Sequence, residues 1–196
     1  MPNRAIVVGI QGYPALTPAL QGPKNDATKF FNWVTTAGGV NPQGARLILD
    51  EQPPAAAAID ARPTVEVIKY EFDRLEDEAT KPGWDASGRL YLYLSGHGFG
   101  QNLDDAALLM ANATMARTRH HIPGKLWADH FFANGYFKEV LLFLDCCRER
   151  YRTALLNGPG TIISAAPPAG ARRFYGFATK YGKLVSGAPS PFFRSA

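Results

Sequence analysis

The stretch that decides the fold of this chain is KEVLLFLDCCR, residues 138–148. Its centre is a continuous apolar run, 140–144, which is followed at once by Asp145, Cys146 and Cys147. A short run of Val, Leu and Phe that ends in polar residues is typical of a strand buried on both faces of a parallel sheet. In open α/β sheets, ligands bind beyond the carboxyl ends of the strands. We therefore expect these three polar residues at a functional edge.

A second stretch, RLYLYLSGHG at residues 89–98, repeats this design with an apolar run followed by SGHG. Two buried parallel strands would deliver His97 and Cys147 to the same edge of the sheet. A thiolate attacks a carbonyl carbon well, and a neighbouring imidazole can stabilise that thiolate and later protonate the leaving amine. The backbone N–H groups of Gly98 and Cys147 are candidate donors to the developing oxyanion. The two strand ends predict a Cys-His catalytic pair.

The rest of the chain alternates strand and helix signals. In order, they predict a strand at 4–10, a helix at 25–37, a strand at 45–49, a helix at 64–80, a helix at 123–134 and a strand at 160–165. A short strand or hairpin is expected within 101–116, whereas 169–196 is less regular, basic and aromatic. The alternation predicts an α/β fold, with a mostly parallel sheet and helices on both faces.

Composition argues against several classes of function. The length suits one domain, and the net charge of +4 comes from scattered Lys and Arg, so no nucleic-acid partner is expected. No apolar run approaches the roughly 18 residues that cross a bilayer, and no signal peptide is recognised, so we expect a cytoplasmic protein with no membrane partner. The two adjacent cysteines are expected to be free thiols. No metal site is predicted, and His120, His121 and His130 are interpreted as surface or helix-face residues.

The two strand ends together resemble the caspase and metacaspase family of cysteine peptidases, peptidase family C14 of clan CD. The SGHG sequence around His97 and the DCCR sequence around Cys147 each follow an apolar strand, about fifty residues apart, as His and Cys do in caspases. The resemblance extends from the first strand to Ala165 and is weak after Pro167. It implies a caspase-like three-layer α/β/α sandwich and the activity of a cysteine endopeptidase.

The resemblance also implies how the chain is organised. It predicts one caspase-like peptidase domain over residues 1–196, with a large-subunit-like core at about 3–166 and the truncated start of a small-subunit-like region at 167–196. A small-subunit-like C-terminal segment or an activator domain is then a candidate partner, besides the protein or peptide substrate. Arg172 and Arg173 are candidate self-processing points.

Metacaspases place an Asp, a small residue and the nucleophilic Cys in consecutive positions, which here are Asp145, Cys146 and Cys147. The resemblance implies that Cys147 is the nucleophile, that the histidine of SGHG is the general acid/base and that Asp145 lines the S1 pocket. A second pocket acid of metacaspases lies in a Gly…Asn-Asp stretch at the start of the first helix, and GPKND at 22–26 assigns that role to Asp26. Two carboxylates favour a substrate Arg or Lys, because a buried acid needs a cationic partner.

Some positions depart from the metacaspase pattern or have a second interpretation. Arg148 stands where metacaspases usually have His, and ER replaces the Ser-Gly that usually follows. Asp26 can also be the N-cap of the first helix. Asp104 and Asp105 could bind calcium as an activator, but two acids alone supply too few oxygens, and a surface loop is the other interpretation.

Members of this family serve regulated proteolysis, so the resemblance implies, by analogy, a role such as prokaryotic immune defence or cell death. Two other functions stay open. One is a separase-like or CHAT peptidase, which also pairs Gly-His-Gly with a Cys. The other is a catalytically silent caspase-like module that binds a partner or scaffolds an assembly, although the presence of both His97 and Cys147 argues against it.

Overall fold

The structure is a computed structural model of the chain, and it describes residues 3–17, 19–52, 54–100, 106–150, 155–160 and 166–179. Its helices and strands alternate along most of this length. In chain order they are β1 (Arg4–Gly9), α1 (Pro23–Thr36), β2 (Ala45–Leu49), α2 (Val65–Ala79), β3 (Arg89–Gly96), β4 (Gly98–Gly100), β5 (Ala107–Leu109), β6 (His121–Pro123), α3 (Gly124–Ala133), β7 (Glu139–Cys146), β8 (Glu149–Arg150) and β9 (Arg172–Phe177).

Within the described residues, the main sheet has five parallel strands in the order β2-β1-β3-β7-β9. The strand expected within 138–148 is β7, which lies between β3 and β9. Its Val140, Leu142 and Leu144 have no exposed surface, as the continuous apolar run predicts. Parallel β3 and β7 therefore end at the same edge of the sheet, and the predicted arrangement of these two strands is confirmed.

Helices cover both faces of this sheet. On one face, Leu92 and Leu142 of the sheet belong to the same buried cluster as Phe72 of α2 and Phe131 of α3. On the other face, the ring of Tyr93 stacks on Phe30 of α1 with 4.6 Å between the centroids. Alternate residues of a strand point to opposite faces, so one apolar run supplies both cores. The expected three-layer α/β/α sandwich is confirmed.

A second, smaller sheet begins where the main sheet ends. Its strand order is β6-β5-β4-β8, with β4 antiparallel to β5 and parallel to β8. The strand or hairpin expected within 101–116 is β5. A second sheet is not predicted from the sequence, because β4 and β8 have only three and two residues, which is too short for a periodic pattern. The chain passes from β3 into β4 and from β7 into β8, so both candidate catalytic residues lie at a junction between sheets.

The described part of the region after residue 169, which ends at residue 179, is more regular than the sequence predicts. Arg172–Phe177 forms β9, the edge strand beside β7. The expectation of irregular structure was wrong here because an edge strand is exposed on one side and needs no continuous apolar run; Phe174, for example, is 52% exposed. Arg172 and Arg173 lie inside this paired strand, so self-processing at these residues would require β9 to leave the sheet first. Of the strand expected at 160–165, residues 161–165 lie outside the described part of the chain.

The first helix begins two residues earlier than expected, at Pro23, with Gly22 as its N-cap. Proline is well suited to the first helical position because its missing N–H would have no partner there. The alternative interpretation of Asp26 as the N-cap is therefore wrong, since Asp26 lies within the first turn and is buried. The longest helix, α2, has 15 residues, and none of the helices in the described ranges is long and apolar enough to cross a membrane.

Candidate active site

His97 and Cys147 occupy matching positions on adjacent chain segments. In the main sheet Gly96 of β3 pairs with Cys146 of β7, and in the second sheet Phe99 of β4 pairs with Glu149 of β8. Both pairings have the same register, so His97 and Cys147 lie opposite each other in the short gap between the two sheets. Neighbouring strands are about 4.8 Å apart, a separation that two side chains at matching positions can easily bridge. The structure thus places the backbone positions of the predicted pair side by side, and the pairing of their side chains stays a prediction.

The two adjacent cysteines have different environments. Cys146 is fully buried in the core on the α2–α3 face, and its sulfur lies 3.9 Å from the carbonyl oxygen of Ala107. Burial, together with the nearby charges of Cys147 and Asp145, raises the pKa of the Cys146 thiol far above its usual range. A thiol that stays protonated is a poor nucleophile. Cys147, which is 8% exposed and follows the end of β7, is the better candidate, in line with the assignment from the resemblance.

Both glycines of the SGHG sequence are required by close packing. Gly96 has a φ of +154°, and a Cβ at this position would lie 2.3 Å from the hydroxyl oxygen of Tyr13. A Cβ on Gly98 would lie 2.6 Å from both the Cys146 sulfur and the Ala107 carbonyl oxygen. Any larger residue would displace the turn that bears His97. The role of the Gly98 N–H as an oxyanion donor stays a prediction.

The two predicted pocket acids come from two different elements, α1 and β7. Asp26, in the first turn of α1, is 3% exposed, and Asp145, near the end of β7, is 7% exposed. The Tyr93 hydroxyl donates to Asp145 Oδ2 at 2.9 Å, and Ser95 Oγ lies 3.5 Å from the same oxygen. Burial raises the pKa of Tyr93 well above its usual range, and the negative charges of Asp145 and, less strongly, Asp26 raise it further. Both carboxyl groups therefore lie near one phenol, and their role as S1 pocket acids stays a prediction.

Sequence reasoning missed Tyr93 and Ser95, whose hydroxyl groups contact Asp145. The signal was available in the alternation of β3, where positions 93 and 95 share a face and Ser95 pairs with Asp145 of β7. The apolar run 90–94 by itself indicates only a buried strand, so the contacts with Asp145 are not predicted from it.

Residues at and just after the end of β9 contact Cys146 and Arg148. The guanidinium of Arg148, which is buried, lies over the ring of Phe177 at 4.2 Å from its centroid, and its Nη1 donates to the Thr179 carbonyl at 3.4 Å. Thr179 Oγ1 in turn donates to the carbonyl oxygen of Cys146 at 3.1 Å. The resemblance is weakest in this region, so Phe177 and Thr179 are not predicted to lie beside the candidate nucleophile.

Two of the three histidines interpreted as surface or helix-face residues are buried. His130 of α3 has its Nε2 3.3 Å from Glu76 Oε2, and His121 of β6 has no exposed surface. His121 Nδ1 lies 2.6 Å from the Thr118 carbonyl oxygen, and its Nε2 accepts from the Leu156 N–H at 2.9 Å. That pattern requires a neutral ring with the proton on Nδ1. The surface interpretation of His121 was wrong, because its ring finds specific partners inside the fold, whereas His130 does lie on a face of helix α3, one that is buried.

Acidification below about pH 6.5 is expected to destabilise the fold through His121. Burial lowers the pKa of this imidazole, so the unfolded chain takes up a proton near the usual pKa of about 6.5 while the folded chain does not. The unfolded state then binds more protons than the folded state. The free energy of unfolding therefore decreases as the pH is lowered from the usual pKa toward the lowered pKa of the folded state. Urea unfolding at pH 7.5, 6.5 and 5.5 measures this fall.

His121→Gln should reduce the pH dependence over this range and lower stability at pH 7.5. His120→Gln is the matched control, because His120 is a neighbouring half-buried histidine, and it should retain the pH dependence of the wild type. An equal pH dependence in the wild type and His121→Gln would contradict the assignment.

Within the part of the chain that the structure describes, there is no group of three or more His, Cys, Asp or Glu side chains that could hold a metal ion. Asp104 and Asp105, the residues considered for calcium, lie outside the described residues.

Comparison with known proteins agrees with this geometry. The family model of the caspase domain, Peptidase C14, matches residues 2–186. A curated protein from a Desulfuromonadales bacterium, named a probable protease, is 24% identical over 156 residues, which are 76% of this chain and 18% of that protein. The chain therefore spans less than a fifth of that relative's length. The family match confirms the resemblance carried by the SGHG and DCCR sequences, and the three-layer architecture is that of a caspase-like α/β sandwich. Because the match covers nearly all of its residues, this chain belongs to the caspase-domain family of C14 peptidases.

Proposed function

We propose that this chain is a cysteine endopeptidase in which Cys147 is the nucleophile and His97 is the general acid/base. The observation that carries the proposal is the matching register of these two residues in the gap between β3 and β4 and between β7 and β8. Cys146 is unsuited to the role, because its sulfur is packed beneath Gly98 in the core.

The reaction proceeds in two stages. The Cys147 thiolate attacks the scissile carbonyl carbon, and the Gly98 N–H donates to the oxyanion that develops. His97 transfers its proton to the leaving nitrogen, the C–N bond breaks, and a thioester and a free amine result. Water then attacks the thioester while His97 accepts its proton. The C–S bond breaks, which releases the new carboxyl terminus and restores the thiolate beside the imidazolium.

The acidic pocket supports cleavage after Arg or Lys. Asp145 and Asp26 are both buried, and a buried carboxylate is stabilised most effectively by a cation that enters beside it. Tyr93 and Ser95 fix the direction of the Asp145 carboxylate through their hydroxyl groups. A fixed carboxylate favours the planar, two-pronged guanidinium of Arg over the single ammonium of Lys.

The proposal includes a biological setting and a domain arrangement. The chain acts in the cytoplasm, where a reducing environment keeps its two free cysteines as thiols. It serves regulated proteolysis such as prokaryotic immune defence or cell death, with residues 167–196 as the start of a small-subunit-like region. A segment or activator domain of that kind, or calcium, would then control activity.

Cleavage of a positional-scanning fluorogenic peptide library tests the proposal. We expect turnover after Arg, and more weakly after Lys, because both extend a cation to the acidic pocket. Turnover after Asp would keep the peptidase and reject the pocket assignment. Absence of turnover with every peptide, also with calcium and with a longer chain, would favour the silent binding module instead.

A further inference from the structure

The hydroxyl of Tyr13 is inserted into the backbone ladder that begins the second sheet. Gly98 pairs with Leu108 and Phe99 with Ala107, so His97 and Leu109 form the next position of the β4–β5 ladder. The Leu109 N–H donates directly to the His97 carbonyl oxygen at 2.8 Å. The reverse bond is replaced by a relay in which the His97 N–H donates to the Tyr13 hydroxyl at 3.0 Å and that hydroxyl donates to the Leu109 carbonyl at 2.9 Å.

The ring of Tyr13 also contacts the imidazole. The two ring centroids are 4.8 Å apart with an angle of 66° between the planes, which is an edge-on aromatic contact. Tyr13 therefore constrains His97 at two points, the backbone N–H and the side chain. Burial raises the pKa of Tyr13 well above its usual range, so the phenol stays protonated and retains the O–H that Leu109 accepts.

The neighbouring residue is shaped to admit this phenol. A Cβ on Gly96 would lie 2.3 Å from the Tyr13 oxygen and 2.9 Å from the Ile10 carbonyl oxygen. Only glycine leaves this space, so the first glycine of SGHG and Tyr13 form a fitted pair. A direct hydrogen bond would satisfy the His97 N–H and the Leu109 carbonyl equally well. Stability of the sheet alone therefore does not explain why a phenol lies between these two groups.

The loop that bears Tyr13 is itself held in place by the end of β2. Asp50 Oδ1 accepts from the Gln11 N–H at 2.9 Å, and its Oδ2 accepts from the Gly12 N–H at 3.2 Å. The Nζ of Lys24 donates to the Asp50 carbonyl at 3.0 Å. A continuous set of contacts thus runs from the end of β2 through residues 11–13 to the candidate general acid/base.

We propose that Tyr13 is a positioning residue that sets the orientation of the His97 imidazole toward Cys147. This inference rests on the proposed function. By fixing His97 at its N–H and at its ring, the phenol limits the turn between β3 and β4 to one arrangement. A catalytic group held in that way is already in its reactive orientation, so less conformational entropy is lost on reaching the transition state.

The test compares Tyr13→Phe with Tyr91→Phe. The second variant removes a different buried hydroxyl, on β3. Tyr91 donates to the Gly38 carbonyl at 3.2 Å and accepts from Arg89, so it is a matched control outside the site. We expect Tyr13→Phe to lower kcat about ten- to hundredfold with little change in KM, because binding does not depend on the imidazole. Tyr91→Phe should keep the wild-type kcat.

A second readout does not need a substrate. The rate of Cys147 alkylation by iodoacetamide, followed by tandem mass spectrometry across pH, reports the thiolate that the imidazolium stabilises. In Tyr13→Phe the alkylation profile should move toward that of an ordinary thiol, near pH 8.5, while Tyr91→Phe keeps the wild-type profile.

A wild-type kcat together with a wild-type alkylation profile in Tyr13→Phe would overturn the inference, as would equal losses in the two variants. If wild-type protein cleaves no peptide, the proposed function fails and the alkylation profile alone decides the role of Tyr13. If Tyr13→Phe does not fold, Asp50→Asn takes its place, because it loosens the loop but keeps the phenol. We then expect a smaller decrease in kcat and a smaller change in the alkylation profile, both in the same direction.

Discussion

Cys147→Ala is expected to abolish peptide cleavage, with kcat lowered by about 10⁴-fold or more, because the variant has no sulfur that can form the thioester. What remains would come from binding and oxyanion stabilisation, which act without the nucleophile. Substrate affinity should change little, since the acidic pocket is formed by other residues. Single-turnover assays with an Arg peptide, combined with a binding measurement on the variant, separate the two effects.

The adjacent cysteine supplies the matched control for this experiment. Cys146→Ala removes a sulfur that fills the space beneath Gly98, so we expect a loss of stability of about 1–3 kcal/mol and continued turnover. Assays well below the melting temperature of the variant keep the two effects apart. Full loss of turnover in a folded Cys146→Ala, with activity retained in Cys147→Ala, would show that Cys146 is the nucleophile and would reject the proposal.

The central strands of the fold could be predicted from sequence because each buried strand contains its own signal. The apolar runs at β3 and β7 identify them as strands buried on both faces, and their polar ends predict where side chains with chemical function collect. The second sheet contains no such signal. Its register agrees with that of β3 and β7 in aligning His97 with Cys147, so part of the geometry that carries the proposed function comes from short strands that only the folded chain reveals.

Partners that are distant in sequence were also beyond prediction. Tyr13 lies in a loop that reads as irregular, yet its hydroxyl bonds to the backbone of residues 97 and 109. From the sequence, His121 and His130 are interpreted as surface or helix-face residues, and their burial depends on a carbonyl, an N–H and a carboxylate from other segments. A sequence shows which groups need partners but does not show which partners the fold brings to them.

Asp145→Asn is expected to lower kcat/KM for Arg substrates by about 10²-fold, or roughly 3 kcal/mol, because loss of one member of a buried charge pair leaves the substrate cation without its partner. The asparagine keeps the size of the side chain and can still accept from Tyr93, so the pocket should retain its shape. Stability should not fall, since the variant no longer buries this charge. Asp129→Asn is the matched control, as it removes one carboxylate from α3, on the opposite face of the main sheet, where Asp129 pairs with Lys125 and Arg173.

A peptide with citrulline in place of Arg separates charge recognition from shape. Citrulline is a neutral side chain of nearly the same size as Arg, so wild-type protein should prefer Arg by a factor similar to the loss in Asp145→Asn. In that variant the preference should shrink to less than about tenfold, because only Asp26 then offers a negative charge to the substrate. An undiminished preference for Arg in Asp145→Asn would place the recognition of the cation elsewhere. The residual preference therefore measures how much of the basic specificity belongs to the end of β7 and how much to the first turn of α1.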